Sequence, residues 1–191
     1  FIDGGARPKS NLVEIIRNEY LREANPNLAG VGGKGIEVNI NNVYDRWRSI
    51  HARQDFGHLT RDNVPYLFGL CMSFKREIIL KIGGLDAFFV DNCAEDTDVG
   101  FRLRHQGYFL RYTPHAIVYH LHNDTRETLK HNQYNWYYWG YLAKKRTKNH
   151  PCTLFIGTIR RLFMDTSSDL VIRKDLQLSQ LDLIMFATKM K

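Results

Sequence analysis

The sequence predicts an α/β domain followed by a helical carboxyl-terminal extension. Between residues 1 and 125, short apolar segments typical of β-strands are separated by apolar stripes at helical spacing. From about Arg126 the apolar residues keep a helical spacing to the end of the chain, and no further strand pattern follows. We therefore assign residues 1–125 to the α/β domain and residues 126–191 to the helical extension.

The chain opens on FIDGGARPKS, in which Phe1 and Ile2 have the character of the end of a buried strand. Pro8 suits the first turn of a helix, because proline has no N–H to lose there. The apolar stripe that would continue this helix consists of Leu12, Val13, Ile15, Ile16 and Tyr20. An opening inside a strand indicates that the chain is the carboxyl-terminal part of a longer protein.

The glycine-rich stretch GVGGKGIEVNI matches the GxGxxG pattern of dinucleotide-binding folds through Gly30, Gly32 and Gly35. That fingerprint has to open a helix whose N-terminus faces a pyrophosphate. Here apolar and polar residues alternate from Ile36 to Ile40, which indicates a strand instead. We expect a glycine-rich strand that passes close to other backbone.

Further elements follow in a regular order. A polar loop rich in aromatic and basic residues, residues 41–64, has the length of a lid or binding loop. The next segments are predicted to be an apolar strand (Tyr66–Phe74) and a short helix from Lys75 to the Gly83-Gly84 pair. A second helix that ends near Gly107 follows. Two strands, Tyr108–Tyr112 and Ala116–Leu121, come last and are separated by Pro114.

Composition is that of a globular protein, with 43% hydrophobic and 25% charged residues. No apolar run approaches the roughly 20 residues of a membrane-spanning helix. The net charge of +7 is compatible with phosphate-bearing ligands or an anionic membrane face, and the residues from Lys144 to Lys148 form a basic cluster. Three cysteines without a disulfide pattern favour a cytoplasmic location, and the basic cluster is compatible with the inner face of the membrane.

Three carboxylates stand together in Glu95-Asp96-Thr97-Asp98, at the start of a predicted helix. Helix capping by Asp96 or Thr97 is one explanation, and an ion pair between Asp98 and Arg102 one turn later is another. A single acid is enough for a cap, however. Besides these structural explanations there is a functional one, in which the run forms a site where one carboxylate accepts a proton.

Two further sites have both a structural and a functional interpretation. His120 and His122 point to the same face if the strand continues, as a pair of metal ligands would, although a strand-end histidine also suits a hydrogen bond to a loop. Asp3 follows an apolar pair and precedes Gly4-Gly5, either as a turn residue or as an acid at the ligand-binding edge of a sheet.

The segment YLFGLCMSFKREIILKIGGLDAFFVDNCAEDTDVGFRLRHQGYFLRYTPHAIVYHLH resembles the acceptor-side half of family 2 glycosyltransferases. The shared pattern includes Gly-Gly-Leu-Asp in place of Gly-Gly-Phe-Asp, then Glu-Asp-x-Asp, and a strand that ends in histidine. FIDGGARP resembles the Asp-x-Asp segment of that family, with Gly5 where its second acid is expected. The resemblance implies a GT-A fold with a Rossmann-like mixed sheet, whose amino-terminal nucleotide-binding part precedes the first residue of this chain.

The resemblance also implies roles for individual residues. Asp96 matches the base that deprotonates the acceptor hydroxyl in an inverting displacement, and Glu95 matches the neighbour that positions the acceptor. Asp3 and His120 match groups that hold a divalent metal, Mg²⁺ or Mn²⁺. The residues expected near the substrates are Asp3, Gly69, Asp98 and Arg102. Gly5 supplies no ligand, which would weaken metal binding.

The implied partners are a nucleotide-sugar donor and a glycan or lipid-linked acceptor, as in the synthesis of cell-wall or other polysaccharides. Two alternatives stay open. A non-catalytic member of the family could bind a glycan or a protein partner, as Gly5 would favour. A peripheral membrane module could use the aromatic residues from Trp136 to Trp139 and the basic residues after them, although a packed helix explains the same pattern. The net charge by itself is also compatible with nucleic acid, but we expect no nucleic-acid partner.

Overall fold

The computed structural model describes residues 1–89, 93–146 and 151–190, with the backbone alone for residues 151–157. The described residues contain five strands: β1 (Ala6–Pro8), β2 (Leu28–Glu37), β3 (Arg61–Asp62), β4 (Met72–Phe74) and β5 (Phe109–His120). The helices are α1 (Leu12–Arg22), α2 (Val43–His51), α3 (Arg76–Lys81), α4 (Glu95–His105), α5 (Arg126–Arg146), α6 (Pro151–Ser167) and α7 (Leu176–Lys189), with a π-helical turn at Ser168–Ile172.

These elements form two compact units. The first unit contains Phe1–Val38 and Arg53–His122, and therefore the whole sheet together with α1, α3 and α4. The second unit contains Asn39–Ala52 and Asn123–Lys191, and therefore α2 and the carboxyl-terminal helices. A mixed sheet combined with helices is the α/β class that the sequence predicts.

The sheet of the first unit has the strand order β1-β5-β2-β4, and β3 pairs with β5. The two long strands, β2 and β5, are parallel, whereas β1 and β3 pair with β5, and β4 pairs with β2, in the antiparallel sense. Glu37 lies opposite His120 at the carboxyl end of this parallel pair. Both residues are therefore at the edge of the sheet where α/β folds commonly bind ligands.

The glycines of β2 allow its close packing, as the sequence predicts. A Cβ atom added to Gly33 would lie 2.1 Å from the carbonyl oxygen of Ala116, and one added to Gly30 would lie 2.8 Å from Phe74 and from the carbonyl oxygen of Ser73. Larger residues would separate β2 from its two neighbours. The prediction of a strand at this stretch, in place of a dinucleotide-binding turn, is confirmed.

Several local predictions are wrong. Pro8 belongs to the edge strand β1 and not to a helix, a position that proline tolerates because an edge N–H needs no ladder partner. Residues 43–51 of the predicted loop form α2, whose first turn is capped by the Asn42 side chain. The predicted strand Tyr66–Phe74 is reduced to β4.

Pro114 does not divide the last strand. The structure has one continuous strand, β5, through the predicted break, with an irregularity in its pairing to β2 between Gly32 and Lys34. Proline lacks the N–H that a regular ladder needs, and such an irregularity accommodates it. The ends of α3 and α4 agree with the prediction, since Gly83, Gly84 and Gly107 all have positive φ angles.

The second unit is built from helices around an apolar core. Trp47 of α2, Leu129 of α5 and three residues of α7 (Leu178, Leu181 and Met185) form this core. Helices over residues 126–146, 151–167 and 176–189 confirm the helical pattern of the tail, while Thr147 and Lys148 of the basic cluster lie outside the described residues. Among the described helices, none is long and apolar enough to cross a bilayer.

Candidate active site

The acidic run lies at the first turn of α4. The residue before the helix, Ala94, has a left-handed backbone with φ of 67°, and no side chain of the described residues caps the helix. Asp96 and Thr97 are therefore inside the first turn and neither is the N-cap, whereas the three acids do lie where the helix dipole favours negative charge. The left-handed residue sets the direction in which the first turn of α4 leaves the preceding chain.

The Asp96 side chain is held by hydrogen bonds from backbone N–H groups, one of which belongs to a distant segment of the chain. Its Oδ2 accepts a hydrogen bond from the N–H of Gly69 at 3.0 Å, and its Oδ1 accepts one from the N–H of Thr97 at 2.6 Å. Burial raises the pKa of the Asp96 carboxyl, although these hydrogen bonds lower it. The side chain is thus fixed in place, and its environment increases its basicity.

Glu95 shares this environment. Its Oε1 lies 3.5 Å, and Asp96 Oδ2 lies 3.8 Å, from the point where a Cβ of Gly69 would stand. Burial raises the pKa of Glu95, and the charges of Asp96 and Asp3 raise it further. Its Oε2 is buried without a hydrogen-bond partner among the described residues. The structure therefore brings Gly69, Glu95 and Asp96 together and places the Asp3 charge within electrostatic reach.

Asp3 forms a turn that connects two parts of the sheet. Ile2 pairs with Cys71 next to β4, whereas Ala6 pairs with His120 at the end of β5. Between them, Asp3 Oδ1 accepts a hydrogen bond from the Gly5 N–H at 3.2 Å. A Cβ added to Gly5 would meet no atom within 4 Å. The expected position of a second acid is therefore sterically open, but glycine offers no ligand atom there.

His120 has a partner that the sequence analysis missed. Its Nδ1 lies 2.9 Å from both carboxylate oxygens of Glu37, and both side chains are largely buried. The rings of His120 and His122 are stacked, with centroids 5.5 Å apart. Glu37 is the last residue of β2, and only its parallel pairing with β5 places it opposite His120.

Asp98 and Arg102 form contacts within the fold. Asp98, which is 1% exposed, accepts a hydrogen bond from Arg102 Nε at 2.7 Å, as their spacing predicts. Arg102 also donates to the carbonyl oxygens of Ile82 and Gly84, at 2.8 and 2.7 Å. These bonds tie α4 to the turn that follows α3. In this structure the two residues face that turn and each other.

The donor set near Asp3 and His120 suits a divalent metal in part. A carboxylate and an imidazole together are ligands of Mn²⁺ and related ions. The Glu37 carboxylate holds Nδ1 of His120 and leaves Nε2 as the available nitrogen, which is the arrangement found behind many metal-bound histidines. Among the described residues, the one group of three potential ligands in mutual proximity is His51, Asp165 and Asp182, in the second unit.

Comparison with known proteins identifies relatives of the chain. A family model described as glycosyl transferase family group 2 matches residues 1–178. The pre-mycofactocin glycosyltransferase of Mycobacterium tuberculosis (strain CDC 1551 / Oshkosh) is 27% identical over 128 residues, which are 64% of this chain and 26% of that protein. The protein of the same description from strain ATCC 25618 / H37Rv gives the same values.

A more distant relative is uncharacterized protein y4gI of Sinorhizobium fredii (strain NBRC 101917 / NGR234). It is 25% identical over 134 residues, which are 60% of this chain and 15% of that protein. The aligned part of this chain spans about a quarter or less of the length of these relatives.

Proposed function

Because the chain belongs to glycosyl transferase family 2, we propose that it carries the catalytic, acceptor-side part of an inverting glycosyltransferase. The donor is a nucleotide-sugar, and the acceptor is a hydroxyl of a glycan or a lipid-linked sugar. The observation that supports this proposal most directly is the Asp96 carboxylate, which is positioned by the Gly69 N–H and has a pKa raised by burial.

In the proposed reaction, Asp96 accepts the proton of the acceptor hydroxyl as the acceptor oxygen attacks the anomeric carbon. The bond from that carbon to the diphosphate oxygen breaks on the opposite face, so the configuration inverts. Glu95 orients the acceptor hydroxyl beside Asp96. Gly69 leaves space for the donor sugar, because it has no side chain between its backbone and the two carboxylates.

We propose that Asp3 and His120 hold the metal of this family and that Glu37 orients His120 through the contact with its Nδ1. When bound, a divalent ion offsets the negative charge that accumulates on the leaving diphosphate. Asp3 also interacts electrostatically with Glu95, whose pKa its charge helps to raise. In this proposal the Asp3 carboxylate therefore contributes both to metal binding and to the electrostatic environment of the acceptor site.

The proposal is tested by release of a nucleoside diphosphate from a panel of sugar nucleotides, with an acceptor mixture and Mn²⁺, by the full-length gene product. Asp96→Asn is expected to lower turnover by about 10²–10⁴-fold, the range for loss of a general base. Glu77→Gln, an exposed acid of α3 in the same unit, serves as the matched control and is expected to retain full turnover. Equal turnover of Asp96→Asn and wild type would contradict the assignment of the base.

A second candidate function is a non-catalytic, glycan-binding member of the family. The observation that favours it is Gly5, which provides no metal ligand in a sterically open position. Gly5→Asp distinguishes the two functions. A wild type without turnover that gains metal-dependent turnover through Gly5→Asp would indicate a decayed catalyst, whereas turnover in the wild type would exclude the binding-only function.

A peripheral membrane role of the aromatic residues near Trp136 has no independent support, because Trp136 packs against Arg48 with 5.0 Å between the guanidinium and the ring centre.

A further inference from the structure

Three helices of the second unit bring one histidine and two aspartates to a single point. His51 is the last residue of α2, Asp165 lies in α6 and Asp182 lies in α7. One potential ligand atom from each residue lies within 4.8 Å of the other two. Carboxylate clusters are common in proteins without a ligand, so the individual contacts of each residue decide what this cluster can bind.

Asp182 has one oxygen without a partner in the interior of the unit. The residue is 3% exposed, and its Oδ1 accepts a hydrogen bond from the indole N–H of Trp47 at 2.8 Å. Its Oδ2 is buried and has no hydrogen-bond partner among the described residues. A buried carboxylate oxygen in this state is unfavourable unless a proton or a cation binds it. In keeping with this, burial raises the pKa of Asp182 to about 6.

His51 is oriented in the manner of a metal-bound histidine. Its Nε2 lies 2.9 Å from Oδ2 of the fully buried Asp169, which fixes the ring and leaves Nδ1 as the nitrogen for a ligand bond. Nδ1 lies 3.4 Å from Oδ1 of Asp165. Two ligands bound at about 2.1 Å to one tetrahedral ion are separated by roughly the same distance. These two residues therefore need little movement to share an ion.

The arginines around the cluster pair with Asp165 and with Asp169, the partner of His51, and neither is paired with Asp182 in the described part of the chain. Arg161 donates to both oxygens of Asp165 from the exposed side, and Arg173 donates to Asp169 at 2.7 Å. Lys189 directs its Nζ toward the ring of Trp47, 6.0 Å from its centre. In the described part of the chain, His51 is the basic residue within 4 Å of Asp182, and the 3.8 Å contact joins its Nε2 to Oδ1 of Asp182, the oxygen that also accepts from Trp47. No lysine or arginine therefore satisfies the unpartnered oxygen.

A cavity adjoins the two aspartates of the cluster, Asp165 and Asp182, whereas His51 is not among its lining residues. It has a volume of about 20 Å³, and Asp165, Asp182, Trp47, Arg161 and Lys189 are among the residues that line it. This space holds about one water molecule. A tetrahedral ion with three protein ligands needs one more ligand of that size.

We propose that His51, Asp165 and Asp182 bind one Zn²⁺ ion through Nδ1 and two carboxylate oxygens, with water as the fourth ligand. Trp47 orients Asp182 and Asp169 orients His51, each through its hydrogen bond to that ligand. One nitrogen and two oxygen donors in a tetrahedral arrangement suit zinc, whereas Mg²⁺ prefers oxygen ligands in octahedral geometry. The ion joins α2 to α6 and α7 and so stabilises the second unit. This site is independent of the proposed glycosyl transfer.

The test uses the whole chain, freed of metal with EDTA and dialysed. Zn²⁺ titration by calorimetry is expected to give one ion per chain, and Co²⁺ is expected to give the intense visible absorption of a tetrahedral complex. Zn²⁺ at about 100 times its dissociation constant should raise the melting temperature by roughly 5–10 °C. The same concentration of Mg²⁺ should produce no shift.

Asp182→Asn tests metal binding without disrupting the fold. Asparagine keeps an oxygen for the Trp47 indole and removes the charged ligand, so we expect a folded protein with Zn²⁺ affinity reduced by more than about 100-fold. His51→Gln should give a similar loss. His115→Gln, which removes an exposed histidine of β5, is the control for adventitious binding and should bind as the wild type does. Absent stoichiometric binding by the wild type, or undiminished binding by Asp182→Asn, would mean that a proton or a water molecule alone satisfies Asp182, and the proposal would be wrong.

Discussion

The backbone N–H of Gly69 donates a hydrogen bond to Oδ2 of Asp96 at 3.0 Å. It connects the chain just before β4 to the first turn of α4, two segments far apart in sequence. An acid whose orientation depends on the backbone of another element is well suited to accept a proton repeatedly, because its geometry does not depend on a mobile side chain. The same contact brings position 69 next to the acidic run.

Gly69→Ala should preserve the fold but weaken binding of the sugar-nucleotide donor. The added methyl group would lie 3.5 Å from Glu95 and 3.8 Å from Asp96, an ordinary contact distance, so the free energy of unfolding should change by less than about 1 kcal/mol. The methyl group nevertheless occupies space proposed for the donor, which should raise the KM for the sugar nucleotide. Urea unfolding and steady-state kinetics measure the two effects.

Gly100→Ala is the contrasting variant. Its Cβ would lie 2.6 Å from the carbonyl oxygen of Pro65 and 2.7 Å from the Cα of Tyr66, which requires the backbone to move. We expect a loss of stability of about 1–3 kcal/mol, the range for overpacking. If Gly69→Ala proved the more destabilising of the two, the packing described around Asp96 would be incorrect.

The stability of the first unit should depend on pH through Asp96. Burial raises its folded-state pKa above the ordinary value of 3.8, so the proton bound by the folded protein stabilises it below that value. This stabilisation is lost as pH rises through the folded-state pKa. The wild type should therefore become less stable relative to Asp96→Asn as pH rises from about 4 through the folded-state pKa, by at most about 1.4 kcal/mol per pH unit.

Chemical unfolding of both proteins in EDTA at a series of pH values measures this difference. Glu95→Gln should behave in the same direction, because burial also raises the pKa of Glu95. A stability difference between wild type and Asp96→Asn that stays constant over this range would show that Asp96 has an ordinary pKa in the folded protein.

Glu37→Gln should weaken metal binding through His120. The carboxylate holds His120 Nδ1 at 2.9 Å, and loss of such a support typically reduces metal affinity by about 10–100-fold. Mn²⁺ binding followed by electron paramagnetic resonance measures the effect without an activity assay. Glu19→Gln, which removes an acid at 3.5 Å from Arg111 in the same unit, is the control and should bind Mn²⁺ unchanged. Unaltered binding by Glu37→Gln would remove His120 from the proposed metal site.

Asp98→Ala should be strongly destabilising. Its buried carboxylate holds Arg102, which in turn donates to the carbonyl oxygens of Ile82 and Gly84. Removing one partner of a largely buried ion pair costs about 3–5 kcal/mol. Thermal unfolding measures this loss. A variant of nearly normal stability but impaired donor binding would instead support the substrate-binding role that the family resemblance implies for Asp98 and Arg102.

How far the sequence predicts the structure differs from element to element. The helices of the tail and the strand at β2 follow from local patterns, since apolar spacing and glycine content depend on near neighbours. Helix α2 was missed because a polar, aromatic stretch looks like a loop until Asn42 is seen to cap it. The break predicted at Pro114 is absent because an irregularity in the pairing of β5 with β2 accommodates the proline, and this pairing is not local in sequence.

By itself, the sequence determined the α/β class, the family resemblance and the acidic run that contains Asp96, because each depends on residue types in a fixed order. Only the tertiary structure decided which of these residues meet. The parallel pairing of β2 with β5 places Glu37 opposite His120, and the packing of three helices places Asp182 beside His51. The physical reason is that such contacts join residues far apart in the chain, and their geometry is set by the packing of whole elements rather than by local sequence.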